Sequence, residues 1–365
     1  MSSTHDHPLF RPAGLGDIQL TSRIVMAPMT RSRAIDNQPG ELETRYYTQR
    51  AGAGLIITEG TSPSANGIGY ARTPGIYTAE QVNAWKEVTD AVHQQSGKIF
   101  VQLMHVGRVA HPHNLASGGK TLAPSAILPQ LEIWTDQAGL QPVPVPQAMT
   151  SAEVQQTIQE FADAAQNAIE TGFDGVEIHA ANGYLPEQFL NPHTNVREDE
   201  YGGRFENRNR FVLEVTAAII NRIGKERTGI RISPFSNYNN MPSYEETTVQ
   251  YEHLVTELNK LQVAYLHVVE PSAGASEEGQ ALLRSVRDLF SGTIIRNGEY
   301  NAAKAMAAVE SKQADLISFG ALFVSNPDLP YRLQHNLPLT APDVNTFFAG
   351  GEKGYIDYAF ADSRM

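Results

Sequence analysis

The sequence predicts a (β/α)8 barrel, and three observations support that prediction. The chain has 365 residues, which is roughly enough for one large α/β barrel. Eight short apolar segments recur along it, with loops and helical patterns between them. Nearly all of these segments are continuously apolar, which is typical of strands buried on both faces of a parallel sheet. A doubly wound open sheet is the alternative that this pattern leaves open.

The predicted strands are short runs in which apolar and β-branched residues predominate. They cover residues 24–27, 55–58, 99–103, 175–178, 229–232, 265–269, 293–295 and 316–319. Barrel enzymes place their active sites at the carboxyl ends of the strands. The residues at and just after the end of each run are therefore the first candidates for function.

Helix start signals fall between the strands. Thr78 and Thr150 are each followed three residues later by a glutamine or a glutamate, which is the capping-box pattern. Beyond Thr150, apolar residues recur at three- and four-residue spacing and predict a helix that stops at Gly172. Two further helices are predicted, one opening at Asn301 and one over residues 251–261.

Residues 104–149 interrupt this rhythm. The stretch has no helical period and contains six prolines. A loop this long inside a compact domain usually forms a lid or carries its own hairpin. We predict a loop or hairpin insertion over the barrel mouth after the third strand, within one domain that spans residues 1–365.

Composition excludes several classes of protein. The formal net charge of −12, from 28 Lys+Arg and 40 Asp+Glu, argues against nucleic-acid and anionic-lipid partners. The absence of cysteine excludes disulfides, cysteine-type zinc sites, iron–sulfur clusters and cysteine nucleophiles. Residues 1–8 are polar, unlike a signal peptide, and the longest apolar runs are far shorter than the roughly 20 residues of a membrane span. We therefore expect a soluble, cytoplasmic enzyme with no membrane partner.

Common catalytic motifs are also missing. The sequence has no Walker A loop, no H-E-x-x-H and no G-x-S-x-G. The nearest approach to a dinucleotide fingerprint starts at Gly67, but Arg72 stands where the third glycine belongs. His105, His111 and His113 could be imagined as a metal cluster, yet no carboxylate lies at ligand spacing, and no metal is predicted.

Four segments, taken together and in order, resemble the old yellow enzyme family. They are residues 26–33, 179–191, 195–210 with Tyr201-Gly202-Gly203 and Glu206-Asn207-Arg208, and 320–329 with Asn326-Pro327-Asp328-Leu329. The likeness runs from about residue 8 to residue 358. It implies a flavin-dependent ene reductase on a (β/α)8 barrel, with tightly bound, non-covalent FMN as cofactor and NAD(P)H as reductant. The lack of cysteine points to the classical branch of the family and away from its iron–sulfur relatives.

The resemblance implies a set of flavin-binding residues. They are Pro28, Met29, Thr30, Gly60, Gln102, Arg231, Asn297, Gly298, Gly320 and Ala321. The amide of Gln102 offers the donor and acceptor that the N3–H and C2=O edge of the ring requires, although a buried glutamine capping a strand end is the alternative. Arg231 would stabilise negative charge at N1–C2=O, unless it forms a salt bridge to Glu59 or Glu177. The hydroxyl of Thr30 would bond C4=O.

The phosphate end departs from the family pattern. Relatives usually carry an arginine after the glycine of strand 8, and here that residue is Ala321. We expect the phosphate to bind backbone N–H groups of Asn297, Gly298, Gly320 and Ala321 instead. Arg296 is a possible substitute for the missing guanidinium.

Just beyond the fourth predicted strand, three residues match the family's catalytic positions. His179 and Asn182 are spaced so that both can face one point, and two neutral donors there would polarise a carbonyl or nitro group. Tyr184 is a phenol with an ordinary pKa of about 10, which suits a proton donor to a developing enolate carbon. A structural histidine and a core aromatic are the alternatives.

The substrate pocket is expected to include Tyr70, Met104, Tyr238 and Tyr355, although the tyrosines could equally be ordinary packing. Met104 stands where many relatives carry a tryptophan, which would open the pocket on that side. Tyr355 lies in the C-terminal tail and could cap this pocket or join a dimer. The oligomeric state is therefore left as a monomer or a homodimer.

The sequence thus predicts an FMN-dependent NAD(P)H:ene oxidoreductase, of the NADPH dehydrogenase type, acting on enones, enals or nitro compounds. Whether NADH or NADPH is preferred stays open. One alternative is a flavin-free barrel hydrolase using Glu59, Glu177 or Glu270, and another is a barrel that binds a ligand without chemistry. Strand alternation is expected to turn Glu177 away from the barrel interior, which disfavours the hydrolase.

Overall fold

The computed structural model describes residues 7–270 and 272–361, so the prediction about residues 1–8 falls largely outside the described part. In chain order the strands are β1 (Ala13–Leu15), β2 (Ile18–Leu20), β3 (Ile24–Met26), β4 (Leu55–Thr61), β5 (Ile99–Leu103), β6 (Leu122–Ala123), β7 (Glu132–Thr135), β8 (Gly139–Pro142), β9 (Gln147–Ala148), β10 (Gly175–Ala180), β11 (Thr228–Ile232), β12 (Tyr265–Val269), β13 (Thr293–Asn297) and β14 (Leu316–Phe319). Among these described strands, β3, β4, β5 and β10–β14 are parallel and close into an eight-stranded barrel. The (β/α)8 prediction is confirmed, and the open-sheet alternative is wrong because the sheet has no edge.

Each predicted strand lies on a barrel strand. The clearest difference is at β4, which continues to Thr61 because it re-pairs with β5 after a register shift between Ile57 and Gly60. This irregularity lies at the carboxyl end of the strand, next to the barrel mouth, where β-bulges re-aim side chains.

The helices pack around the barrel. They are α1 (Glu41–Thr48), α2 (Ala79–Gln94), α3 (Ser151–Glu170), α4 (Leu185–Leu190), α5 (Phe205–Ile223), α6 (Thr247–Leu261), α7 (Glu277–Leu289), α8 (Ala302–Glu310), α9 (Ala321–Ser325) and α10 (Leu329–Gln334). Thr78 and Thr150 form the predicted capping boxes at the starts of α2 and α3. Asn301 caps α8, and Gly172 follows the end of α3 at φ +95°, a conformation that favours glycine.

Apolar side chains fill the amino-terminal half of the barrel. Val25, Phe100 and Tyr265 belong to a buried cluster that the antiparallel pair β1–β2 closes from below through Leu15 and Leu20. The polar groups described below lie in the carboxyl-terminal half. The barrel is therefore a packed core at one end and a cavity at the other.

The insertion at residues 104–149 carries a hairpin, one of the two forms that the sequence left open. Strands β7 and β8 pair antiparallel with Trp134 opposite Leu140, while β6 pairs with β9. Residues Leu131 to Trp134 line the cavity at the barrel mouth, so the hairpin does lie over it. In the described part of the chain, no helix combines the length and apolar character that crossing a bilayer requires.

Candidate active site

A cavity of about 1140 Å³ opens at the carboxyl ends of the barrel strands. That volume exceeds what a drug-sized ligand needs, and it is large enough for a cofactor together with a substrate. Of the residues predicted from the sequence, the cavity lining includes Pro28, Met29, Thr30, Tyr70, Gln102, Met104, His179, Asn182, Tyr184, Arg231, Tyr238, Gly320 and Ala321. It does not include Gly60, Asn297, Gly298 or Tyr355.

A tight turn between β10 and α4 brings the three predicted catalytic residues together. Asn182 and Gly183 both have positive φ, +56° and +74°, and a Cβ on Gly183 would lie 2.7 Å from the carbonyl oxygen of Tyr238. The turn places the ring of Tyr184 4.8 Å from that of His179, centroid to centroid. The hydroxyl of Tyr184 donates to that of Tyr70 at 3.2 Å.

A buried carboxylate holds this turn. Glu187, in the first turn of α4, accepts hydrogen bonds from the backbone N–H of Gly183 at 2.5 Å, the hydroxyl of Ser233 at 2.8 Å and that of Tyr251 at 2.9 Å. The hydroxyl oxygen of Ser233 in turn accepts from the N–H of Asn182 at 2.8 Å. Burial raises the pKa of Glu187 to about 7. The sequence analysis did not single out this residue. A glutamate four positions after Gly183, among the apolar residues of α4, was a signal that could have indicated it.

The site keeps its polar side chains neutral. Burial, with Arg231 and His267 nearby, lowers the pKa of His179 well below its usual value, so the imidazole is uncharged at neutral pH. Burial also raises the pKa of Tyr184 to about 12, so the phenol keeps its proton. A neutral imidazole N–H can therefore donate to a substrate oxygen, and a phenol proton lies close by.

Glu177 points into the barrel, so the expectation that it faces away from the interior is wrong. Its neighbours Val176 and Ile178 pack with residues of the surrounding helices, on the outer face of β10. Because side chains alternate along a strand, Glu177 lies on the inner face. Its two carboxylate oxygens accept from the amide nitrogen of Gln102 and bond Nδ1 of His267, both at 2.8 Å. One N–H of the Gln102 amide is used in this way, which leaves its oxygen and its second N–H for a ligand in the cavity.

Arg231 forms no salt bridge to Glu59 or Glu177, so that alternative is wrong. Its guanidinium donates through Nη2 to the side-chain oxygen of Asn297 at 2.7 Å, while Nε is buried without a partner. An unpartnered guanidinium N–H is costly to bury unless a ligand accepts from it. Gln102 and Arg231 therefore fit a flavin edge that offers an N–H donor and carbonyl acceptors.

Two of the four residues predicted to bind the phosphate line the cavity. Gly320 and Ala321 line the cavity, and Ala321 is the first residue of α9. Arg296 is not available as a substitute cation, because its guanidinium donates to Glu270 at 3.0 Å and to the carbonyl of Leu283 at 2.8 Å. It lies outside the cavity lining because, next to inward-facing Ile295, it projects from the outer face of β13.

The remaining predicted residues outside the lining have structural partners. The Asn297 side chain bridges Arg231 and the carbonyl of Ser318, the latter at 3.2 Å. A Cβ on Gly60 would lie 2.4 Å from the sulfur of Met104, so this glycine makes room for the pocket residue. A Cβ on Gly298 would have only ordinary contacts, the nearest 3.5 Å away, with Glu270.

Tyr355 does not line the cavity, which corrects the expectation from the sequence. It is fully buried and stacks on Tyr46 with ring centroids 4.1 Å apart, and the guanidinium of Arg33 lies 4.6 Å above its ring. The tail reaches the mouth instead through Phe347 and Phe348. These two adjacent aromatic residues are the feature of the sequence that could have predicted a contact between the C-terminal segment and the cavity.

Arg72 contacts three other loops at the mouth through an ion pair and hydrogen bonds. Its guanidinium is paired with Asp136 at the turn of the β7–β8 hairpin and donates to the carbonyl of Phe348 at 3.2 Å. Its Nε donates to the carbonyl of Ser32 at 2.8 Å. Sequence reasoning noted Arg72 only as a break in a glycine pattern.

Neither the metal nor the hydrolase alternative gains support from the geometry. In the described ranges, no group of three or more His, Cys, Asp or Glu is arranged to hold a metal ion. Glu59 accepts from the N–H of Arg31 and the hydroxyl of Tyr47, while Glu270 is engaged by Arg296 and Tyr300. None of the three carboxylates proposed for a hydrolase lines the cavity.

Comparison with known proteins identifies the family of the chain. The model of the NADH:flavin oxidoreductase / NADH oxidase family matches residues 8–340. The chain is 41% identical to 12-oxophytodienoate reductase 7 of Oryza sativa subsp. japonica, over 97% of this chain and 94% of the rice protein. It is 40% identical to a "Probable flavin mononucleotide-dependent alkene reductase" of Leishmania infantum, over 96% and 97% of the two chains.

Solved structures agree as well. Morphinone reductase in complex with tetrahydroNAD superposes with a TM-score of 0.92 at 42% identity, covering 97% of this chain and 98% of that one. The hydrolase alternative has no support from these matches. The chain belongs to the old yellow enzyme family, and it is an FMN-dependent oxidoreductase that uses NAD(P)H to reduce activated carbon–carbon double bonds.

Proposed function

We propose that His179 and Asn182 hold the carbonyl or nitro oxygen of the substrate while Tyr184 donates a proton to the alkene. FMN, when bound, supplies the hydride chemistry between NAD(P)H and the β-carbon. Donors on the substrate oxygen draw electrons from the double bond, which makes the β-carbon electrophilic. The proton completes the reduction at the α-carbon, so one hydride and one proton are added.

The observation that carries this proposal is that all three side chains line one cavity. Both His179 and Tyr184 are held in their neutral forms by burial, so each can donate. The backbone of Asn182 is fixed through its N–H to Ser233 and through its carbonyl, which accepts from Asn239 at 2.8 Å. Its amide side chain is therefore presented by a fixed turn.

We propose that Gln102, Arg231 and Thr30 contact the flavin ring, with Pro28 and Met29 lying along it. The unpartnered Nε of Arg231 supports this placement, as does the use of the Gln102 amide nitrogen by Glu177. Backbone N–H groups at Gly320 and Ala321 are proposed to hold the phosphate, with Asn297 and Gly298 close to them in the fold. Gly60 contributes by leaving space for Met104.

The test measures two half-reactions separately in the variant Tyr184→Phe: reduction of the flavin by NAD(P)H and reduction of the alkene. Alkene reduction should slow by about 10²–10⁴-fold, the usual contribution of general acid catalysis, while flavin reduction by NAD(P)H keeps its rate. Stopped-flow absorbance of the flavin measures each step. Tyr70→Phe is the matched control, because it removes the hydroxyl that accepts from Tyr184 but leaves the proposed donor in place. Unchanged alkene reduction in Tyr184→Phe would refute the assignment.

The mouth favours NADH over NADPH as the reductant. Glu132 and Asp136 are acidic groups at the mouth, and Arg72 is already paired with Asp136, so the 2′-phosphate of NADPH would find little unpaired positive charge beside the hairpin. The ratio of kcat/KM for flavin reduction by the two coenzymes measures the preference. A larger value for NADPH would contradict it.

Three further expectations from the sequence remain predictions. They are a cytoplasmic location, a single domain over residues 1–365, and a monomer or a homodimer. Cell fractionation tests the first, and one cooperative calorimetric transition would support the second. Sedimentation equilibrium distinguishes the two oligomeric states.

A further inference from the structure

A chain of hydrogen bonds crosses the barrel interior and connects six of its strands. We call it the interior polar chain. In order its members are Gln102, Glu177, His267, Ser318, Asn297 and Arg231. Only its two ends, Gln102 and Arg231, line the cavity. These ends are the same two side chains that are proposed to meet the flavin ring.

Strand register explains how Glu177 occupies the middle of this chain. It lies opposite Gln102 on β5 and opposite Gly229 on β11. The side chain of Glu177 reaches past β11 and bonds His267 on β12, at 2.8 Å. A Cβ on Gly229 would lie 2.2 Å from the ring of Tyr265, so the glycine is required here. The sequence thus keeps this position open for the ring of Tyr265.

Packing alone does not require a cluster of buried polar groups at this place. Glu177 and His267 are both 0% exposed, and burying polar or charged groups is unfavourable unless they are fully bonded. The layer beneath them is filled with apolar side chains such as Phe100 and Ile295. A set of apolar side chains could fill this layer as well, so the buried carboxylate and its two partners call for a reason other than packing.

The carboxylate acts on both ends of the chain. Accepting from the Gln102 amide nitrogen turns the amide oxygen of Gln102 toward the cavity. The negative charge of Glu177 also acts on Arg231 through space, opposing the effect of burial on its pKa. The two groups are not in salt-bridge contact, so Arg231 remains free to bind a ligand while part of its positive potential is offset.

We propose that Glu177 is a positioning residue for the flavin: it sets the orientation of Gln102 and limits the positive potential that Arg231 applies to the ring. This inference rests on the proposed placement of Gln102 and Arg231 at the flavin. An uncompensated Arg231 would stabilise the negative charge of reduced FMN more strongly. Glu177 therefore keeps the reduction potential lower and the reduced cofactor a better hydride donor.

The test is the reduction potential and FMN affinity of Glu177→Gln and Glu177→Asp. Loss of the charge in Glu177→Gln should make the potential of bound FMN more positive, as measured by equilibration with a reference dye. Glu177→Asp keeps the charge but shortens the side chain, so its potential should stay near that of the wild type. Its FMN dissociation constant, measured by quenching of FMN fluorescence, should rise about tenfold through loss of the Gln102 contact.

Glu187→Gln is the matched control, since Glu187 is also a buried carboxylate beside the cavity but is bonded to the catalytic turn. It should leave the potential unchanged. If Glu177→Gln matches the wild type in potential, the inference is wrong. Should Glu177→Gln fail to fold, an unchanged FMN affinity in Glu177→Asp would overturn it instead. If the wild-type apoprotein does not quench FMN fluorescence, the proposed flavin site itself is wrong. That result differs from the two above, which concern only the role of Glu177.

Discussion

The inner end of the cavity and its mouth are built by different means. At the inner end, Gln102, His179 and Arg231 project from barrel strands and are buried. At the mouth, Trp134 and Phe348 come from the hairpin and the C-terminal segment, and they are 57% and 60% exposed. The difference teaches that groups proposed for chemistry are fixed by the barrel strands and by the hydrogen-bonded turn after β10, whereas groups that meet the rest of a substrate are carried on exposed loops.

The inner end of the cavity and its mouth are also stabilised by different interactions. Inner groups are linked by hydrogen bonds between strands, as in the interior polar chain. The mouth depends on the guanidinium of Arg72, which joins Asp136, Phe348 and Ser32. Partly exposed ion pairs of this kind contribute little to stability. Substitutions at the inner end should therefore have large effects, and those at the mouth should have small ones.

The largest further effect is expected for the pair that faces the substrate oxygen. Replacing His179 and Asn182 together by alanine removes two donors, each worth roughly tenfold or more toward a charged oxygen. Affinity for a para-substituted phenol should fall about a hundredfold, as followed by the long-wavelength charge-transfer absorption of the flavin complex. Tyr238→Phe, at the exposed rim, serves as the control. Equal phenol affinity in the double variant and the wild type would refute the proposed role.

An intermediate effect is expected at Glu187, and it depends on pH. Burial raises the pKa of this carboxyl in the folded protein from 4.5 to about 7. Between these values the folded state keeps a proton that the unfolded chain has lost, so the free energy of unfolding falls as pH rises from about 4.5 to 7. The full shift corresponds to roughly 3 kcal/mol.

Glu187→Gln should remove this contribution, so its free energy of unfolding should fall less over the same pH interval. Urea unfolding at a series of pH values measures the two profiles. Glu59, whose pKa burial raises to about 8, is present in both proteins and cancels in the comparison. Profiles that run parallel from pH 4.5 to 7 would contradict the prediction.

The smallest effect is expected for Arg72→Gln at the mouth. Losing its pair with Asp136 should change the free energy of unfolding by no more than about 1 kcal/mol. KM for a bulky alkene should rise a few-fold because the hairpin and the C-terminal segment lose their link, while kcat stays close to the wild-type value. Steady-state kinetics with a small enone provides the comparison, since a small molecule need not reach Trp134 or Phe348. A large loss of kcat would place Arg72 closer to the chemistry than the contacts indicate.

Local pattern was sufficient for much of the fold and of the site. The barrel strands and the capping boxes at Thr78 and Thr150 follow from periodicity and residue type over a few positions. His179, Asn182 and Tyr184 lie within six consecutive residues, so their order already implied that they meet at one strand end. Such features depend on neighbours in sequence, and the sequence predicts them well.

Long-range packing decided the rest. The sequence alone left open whether Arg231 meets Glu177 or a ligand, and it suggested the wrong face for Glu177. Tyr355 was expected at the cavity and Arg296 was a possible phosphate ligand, yet Tyr46 and Glu270, from other parts of the chain, bind them elsewhere.

The sequence by itself determined the strand and helix periods, the catalytic turn and the family pattern, because each rests on residues close together in the chain. Only the tertiary structure decided which buried polar groups are paired and which remain free for a ligand. Pairing depends on which strands are neighbours and on which side chains meet across the barrel, as Glu177 on β10 meets His267 on β12. A hydrogen bond forms only between atoms a few ångströms apart, and closing the barrel is what sets those distances.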